Sequence, residues 1–79
     1  MPPRAKGSRL PEAITFGKRV RQLREAKDWT LEQLAERAGM NELQVGHIER
    51  GASDVKLSTI VKLSRALGVT ASELLRSIR

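Results

Sequence analysis

Apolar residues recur along most of the chain at the spacing of an α-helix. Phe16, Val20 and Leu23 follow one another at i, i+4 and i+7, with charged residues between them, so an amphipathic helix is expected from about residue 12 to residue 27. No segment alternates apolar and polar residues with the two-residue period of a strand. The pattern therefore predicts an all-α fold.

Short motifs mark the beginnings of three further helices. "TLEQ" at Thr30, "NELQ" at Asn41 and "TASE" at Thr70 each place Gln or Glu three residues after Thr or Asn, which is the spacing of a capping box. Gly39 and Gly51 suit the ends of the first two of these helices.

A further helix is expected between about Leu57 and Gly68, and the last helix follows Thr70. Their predicted apolar faces are Leu57, Ile60, Val61, Ser64 and Leu67 in the one, and Ala71, Leu74, Leu75 and Ile78 in the other. The expected architecture is a compact five-helix bundle over residues 12–79. Residues 1–11 contain all three prolines, so they are expected to form a flexible basic N-terminal arm.

Composition excludes several kinds of site. The 79 residues include no cysteine and one histidine, so neither a disulfide framework nor a Cys-ligated zinc site is possible, and no metal or cofactor is expected. So small a domain offers no evident cleft for an enzyme or a small-molecule substrate. No apolar run reaches the roughly 18 residues of a membrane span, and residues 1–9 lack the apolar segment of a signal peptide, so a cytoplasmic protein is expected.

The positive charge lies in the first third of the chain. Residues 1–27 carry eight Lys or Arg against two acids, whereas residues 28–79 carry seven of each. Such a one-sided field favours a polyanion, either nucleic acid or an anionic membrane surface. A merely solvated surface accounts for the charge equally well.

The two central helices are joined only by Gly39, Met40 and Asn41, a connection that predicts a steep crossing, as in a helix-turn-helix. In the second of them Val45 and Ile48 point inward, while the outward side holds little charge and consists of Leu43, Gln44, Gly46, His47 and Arg50. This mixture suits the major groove of DNA, where Gln bonds adenine, an apolar group meets the thymine methyl and Glu accepts from cytosine. Gly46 indicates a close approach, either of DNA or of a neighbouring helix.

The segments "FGKRVRQLREAKDWT", "LEQLAERAGM", "IERG" and "LSTIVKLSRALGVTASELL" together resemble the Cro/repressor (Xre-type) helix-turn-helix DNA-binding family. The resemblance covers roughly residues 16–75. The short chain and the loop "GASDVKL", which lacks a proline common in the family, make it similar to the controller proteins of restriction-modification systems. Leu31 is a departure, because members commonly place there a Gln that grips a phosphate.

The resemblance implies a recognition helix over residues 42–50 and roles for particular side chains. Base contacts would come from Glu42, Leu43, Gln44 and His47. Phosphate contacts would come from Thr30, Gln33, Arg50, Ser53 and Lys56. The resemblance also implies a structural ion pair between Arg24 and Glu49, and the inward register of both positions agrees with it. Other roles remain open for three residues. Glu42 could serve only as a favourable charge at the start of its helix, His47 could be an exposed side chain without a function, and Trp29 could cover the core.

The function implied is a sequence-specific transcriptional regulator that binds a palindromic operator in double-stranded DNA as a homodimer. Leu74, Leu75 and Ile78 are the candidate dimer interface, or they close their own core instead. The arm, through Arg4, Lys6 and Arg9, would track phosphates or remain a disordered tail. An antitoxin or another helical protein-interaction module is the alternative. A membrane-surface domain is less suitable, because its apolar face would be needed for the core.

Overall fold

The computed structural model describes residues 10–52 and 54–76, and this part of the chain is helical with no strand. Five helices follow one another: α1 (Pro11–Ala26), α2 (Leu31–Ala38), α3 (Glu42–Glu49), α4 (Leu57–Leu67) and α5 (Ala71–Leu74). The predicted all-α bundle is confirmed. Helix α3 packs against both α1 and α2, and α4 packs against α1, α2 and α5.

The core is formed by the inward stripes of all five helices. Its most buried side chains are aliphatic and come mainly from α1 to α4, and burial of apolar surface is the main force that holds so small a bundle together. The buried cluster consists of Phe16, Val20, Leu34, Ala35, Ala38, Val45, Ile48, Leu63, Leu67 and Leu74.

Caps explain where the helices begin. At Thr30 and Thr70 the hydroxyl accepts from the N–H three residues on, while the side chain of Gln33 or Glu73 accepts from the threonine N–H, so these two predicted capping boxes are present. Asn41 accepts instead from the N–H two residues on. The capping box predicted at Asn41 is therefore not formed, and Gln44, which would have completed it, lies exposed on the surface.

One predicted helix boundary and part of one predicted apolar face differ from the structure. Helix α1 begins at Pro11 rather than after it, because proline lacks the N–H that the first helical turn leaves unbonded. In α4 the buried side is Thr59, Leu63, Ser64 and Leu67. Leu57, predicted to face the core, is 75% exposed. Residues 1–9 of the predicted arm lie outside the described residues.

Candidate nucleic-acid interface

A short turn joins α2 to α3 and leaves one side of α3 exposed. Gly39 ends α2 with φ of +66°, a left-handed conformation that glycine adopts without steric cost, and Asn41 begins α3 two residues later. The underside of α3 is anchored by Val45 and Ile48, which are 0% and 4% exposed. The outer side of α3 is exposed.

The four predicted base-contacting residues lie together on that outer side. Glu42, Leu43, Gln44 and His47 are all exposed, and Leu43 is 68% exposed although it is a large aliphatic residue. Because Gln44 does not complete a capping box, its amide remains free to bond another molecule. The surface thus offers an amide, an imidazole, a carboxylate and an aliphatic group within two helical turns.

The predicted phosphate-contacting residues differ in how far their side chains are already engaged within the protein. Thr30 and Gln33 bond each other in the α2 capping box, with Gln33 Oε1 2.8 Å from Thr30 N and Thr30 Oγ1 3.1 Å from Gln33 N. These bonds use acceptors, so the Gln33 amide hydrogens remain available as donors. Arg50, at the end of α3, and Lys56, at the start of α4, are exposed. Ser53 lies outside the described residues.

A concave surface of about 500 Å³, the α2–α3 groove, opens between the start of α2 and the outer side of α3. Its lining is Leu31, Asn41, Glu42, Leu43, Gly46 and Arg50. A Cβ added at Gly46 would lie 3.2 Å from Arg50 Nη1. The neighbour of Gly46 is therefore the Arg50 guanidinium, so of the two alternatives for this glycine the approach of another helix is not the one that the structure shows.

The close approach between helices occurs at Gly17 instead, a position that the sequence analysis missed. A Cβ there would meet Ile48 O and would lie 2.7 Å from Glu49 O. Glycine at this position lets α1 pack directly onto the backbone at the end of α3. Its only signal in the sequence is a glycine within an otherwise good helical pattern, which does not reveal the neighbour.

Arg24 of α1 and Glu49 of α3 form an ion pair on the inner side of α3. Arg24 Nε lies 2.7 Å from Glu49 Oε2 and Arg24 Nη2 lies 3.0 Å from Glu49 Oε1, while Arg24 Nη1 donates to Trp29 O at 2.6 Å. The side chains are 13% and 6% exposed. The hydrogen bond to Glu49 raises the pKa of Arg24 further above its ordinary value. The pair ties α3 to α1 and to the α1–α2 turn.

Trp29 covers the core between α1 and α2, as predicted. Its outer side is occupied by two cations, with Arg37 4.4 Å and Lys27 5.2 Å from the centre of the ring. Both lie within the distance of a cation–π contact. The indole is therefore engaged within the monomer and does not stand out as a platform for a base.

The predicted dimer residues differ in accessibility. Leu74 is 0% exposed, and a side chain wholly inside its own core cannot contact a second copy, so its assignment to the interface is corrected. Leu75 is half-buried and lines a small cavity with Ile60, while Ile78 lies outside the described residues. Leu57 is the exposed aliphatic side chain that the sequence analysis had assigned to the core.

Within residues 10–52 and 54–76, no group of three or more His, Cys, Asp or Glu side chains is close enough to hold a metal ion. No helix in this part of the chain is long and apolar enough to cross a membrane.

Comparisons with known proteins give a consistent family. The helix-turn-helix family model matches residues 20–74. Control protein C.BamHI of Bacillus amyloliquefaciens is 40% identical over 63 residues, which are 78% of this chain and 78% of that protein.

Solved structures agree with this. The restriction-modification controller protein C.AhdI from Aeromonas hydrophila superposes with a TM-score of 0.80 and 40% identity, covering 82% of this chain and 98% of that one. The hypothetical transcription factor NHTF from Neisseria superposes with a TM-score of 0.78 and 31% identity, covering 95% of this chain and 86% of that one.

Proposed function

Because the chain belongs to the helix-turn-helix family, we propose that it is a sequence-specific DNA-binding transcriptional regulator that binds a palindromic operator as a homodimer. The relatives that carry the names control protein, restriction-modification controller protein and transcription factor support this proposal. A regulator of this kind acts on DNA without a cofactor or a chemical substrate, and we assign it to the cytoplasm. Its partner is double-stranded DNA.

The exposed outer side of α3 carries the proposal. An ordinary surface helix is covered by Lys and Glu, whereas α3 presents Leu43, Gln44 and His47 between Glu42 and Arg50. A major groove about 12 Å wide admits one helix, and its base edges offer partners for each of these groups. In this proposal Gln44 bonds adenine, Glu42 accepts from cytosine, Leu43 meets a thymine methyl and His47 donates to guanine.

Phosphate contacts would set the register of α3 in the groove. Arg50 and Lys56 supply charge at the end of α3 and the start of α4, while Thr30 and Gln33 supply neutral donors at the start of α2. Contacts to phosphate position a protein without reading sequence. Ser53 and the basic residues of the arm at 1–11 (Arg4, Lys6 and Arg9) are further candidates for this role.

A homodimer is proposed because one short recognition helix reads only a few base pairs. Two copies related by a two-fold axis read half-sites about 34 Å apart, one turn of DNA. Leu75 and Ile78 remain candidates for the interface, and the exposed Leu57 is added to them. An aliphatic side chain with most of its surface in water gains free energy when a second copy covers it.

Selection of bound sequences from random duplex DNA tests the proposal, followed by affinity measurements at two salt concentrations. We expect a palindromic sequence and a steep salt dependence, because each phosphate neutralised adds about −0.9 to the slope of log K against log salt. Failure to enrich any sequence, with weak binding to all duplexes at low salt, would exclude the proposed function.

Two variants separate the proposed roles of the side chains. Arg50→Ala should weaken binding to all duplexes alike and reduce the salt slope by about 1, whereas Gln44→Ala should relax the preference at one base pair in each half-site. If Gln44→Ala instead weakens all duplexes uniformly, Gln44 is not a base contact.

A further inference from the structure

The α2–α3 groove combines an apolar floor with two charged rims. Leu31 is half-buried against the core and Leu43 is largely exposed, and both line the groove. Glu42 and Arg50 stand at its rims. The groove therefore presents an aliphatic surface in the middle of the face proposed to meet DNA.

The chemistry of the groove determines which group of a duplex can occupy it. A phosphate could pair with Arg50 at one rim, but it would then lie near the Glu42 carboxylate at the other rim, and the two leucines of the floor would give it no donor. Polar base edges would likewise lose their hydrogen bonds to water against the leucines. Among the four bases, thymine alone presents an apolar group at the major-groove edge, its C5-methyl.

Gly46 leaves space for the Arg50 guanidinium beside this groove. A Cβ at Gly46 would lie 3.2 Å from Arg50 Nη1, so a side chain there would push the guanidinium away. Gly46 therefore adds no side chain of its own to the lining of the groove, and the guanidinium stays at the rim.

We propose that the α2–α3 groove, through Leu31 and Leu43, binds the C5-methyl group of one thymine in each half-site. This inference rests on the proposed function and names a subsite within it. It assigns Leu31, a residue of α2, to base reading together with the recognition helix.

Replacement of thymine by deoxyuridine tests the subsite, because it removes the methyl group and leaves every base-pairing and polar edge atom in place. Each thymine of the selected operator is replaced in turn, and the dissociation constant is measured at constant salt. Burial of one methyl corresponds to about a fourfold change in affinity. We expect one thymine per half-site with a loss of about that size.

The same series is then measured with Leu43→Ala and with Gln22→Ala. Both side chains are exposed, so neither truncation removes core packing, and circular dichroism will establish that both variants are folded. Leu43→Ala should abolish the difference between thymine and deoxyuridine at the sensitive position, as a double-mutant cycle requires of a direct contact. Gln22→Ala, on α1 and outside the groove, should retain the difference.

Two results would overturn the subsite while leaving the proposed function intact. In the first, the protein selects an operator but no thymine is sensitive to loss of its methyl. In the second, the sensitive thymine remains equally sensitive in Leu43→Ala. If no sequence is selected at all, the proposed function fails and the subsite is excluded with it.

Discussion

Removal of the Glu49 carboxylate should be among the most damaging single changes to this fold. In the folded protein Glu49 accepts from Arg24 Nε at 2.7 Å and from Arg24 Nη2 at 3.0 Å, and its side chain is 6% exposed. In Glu49→Ala the Arg24 guanidinium would stay nearly buried with the carbonyl of Trp29 as its remaining acceptor. The alternative is for Arg24 to leave the interface and open the contact between α1 and α3.

The expected loss is about 3–5 kcal/mol, the usual cost of removing one partner from a buried ion pair. Domains of this size have a free energy of unfolding of about 4–12 kcal/mol, so much of the stability would disappear. At about 4–8 °C per kcal/mol, the melting temperature should fall by more than about 12 °C. Thermal and urea denaturation followed by circular dichroism measure both quantities.

The chain provides a matched control in another Arg–Glu pair. Arg21 and Glu25 lie on the surface of α1, with 3.2 Å between Nε and Oε2 and side chains 62% and 54% exposed. Water and salt screen such a pair, so Glu25→Ala should cost only about 0.3–0.5 kcal/mol. Replacing both Arg24 and Glu49 by leucine should cost less than Glu49→Ala, because no unpaired charge remains. If Glu49→Ala is no less stable than Glu25→Ala, the buried pair does not hold α3 in place.

Three further changes test other features of the fold. Gly17→Ala should destabilise the protein by about 1–3 kcal/mol, because the new methyl would meet Ile48 O where α1 crosses α3; urea denaturation measures it. Asp28→Gly should stabilise by about 1 kcal/mol in the same assay, because Asp28 has φ of +57° and places its negative charge just after the end of α1. The Thr70 N–H and hydroxyl donate to the Glu73 carboxylate and lower the pKa of Glu73. The ionised Glu73 side chain therefore stabilises the fold fully above the ordinary pKa of Glu, and this stabilisation is lost as the pH falls through the lowered pKa. Glu73→Gln should remove this part of the acid dependence of the melting temperature.

Each of these three changes has a control or a contrary outcome. Gly46→Ala inserts the same methyl in α3, where only the flexible end of Arg50 is near, so it should be neutral or gain up to about 1 kcal/mol. Equal losses at Gly17 and Gly46 would refute the close approach of α1 and α3. A less stable Asp28→Gly variant would mean that strain and helix dipole are outweighed by the flexibility of glycine in the unfolded chain. An unchanged acid profile in Glu73→Gln would mean that Glu73 is not part of the pH response.

The periodicity and the caps of the sequence determined most of the local structure. The inward residues of α3 were readable because Val45 and Ile48 share a side at 100° per residue, and the same arithmetic left Leu43, Gln44 and His47 outward. Thr30 and Thr70 marked their helices because cap bonds form within four residues of chain. Such features depend on neighbours in sequence, and these are known before the fold is known.

Only the tertiary structure decided which surfaces meet. Gly17 and Gly46 look alike in the sequence, yet α1 lies on the backbone of α3 at one of them and an arginine side chain lies over the other. Leu57 and Leu74 both belong to helical apolar stripes, but the first is 75% exposed and the second 0%. A stripe tells which side of a helix is apolar. How much of that side is covered depends on where other helices cross it, and that is set by packing between residues distant in the chain.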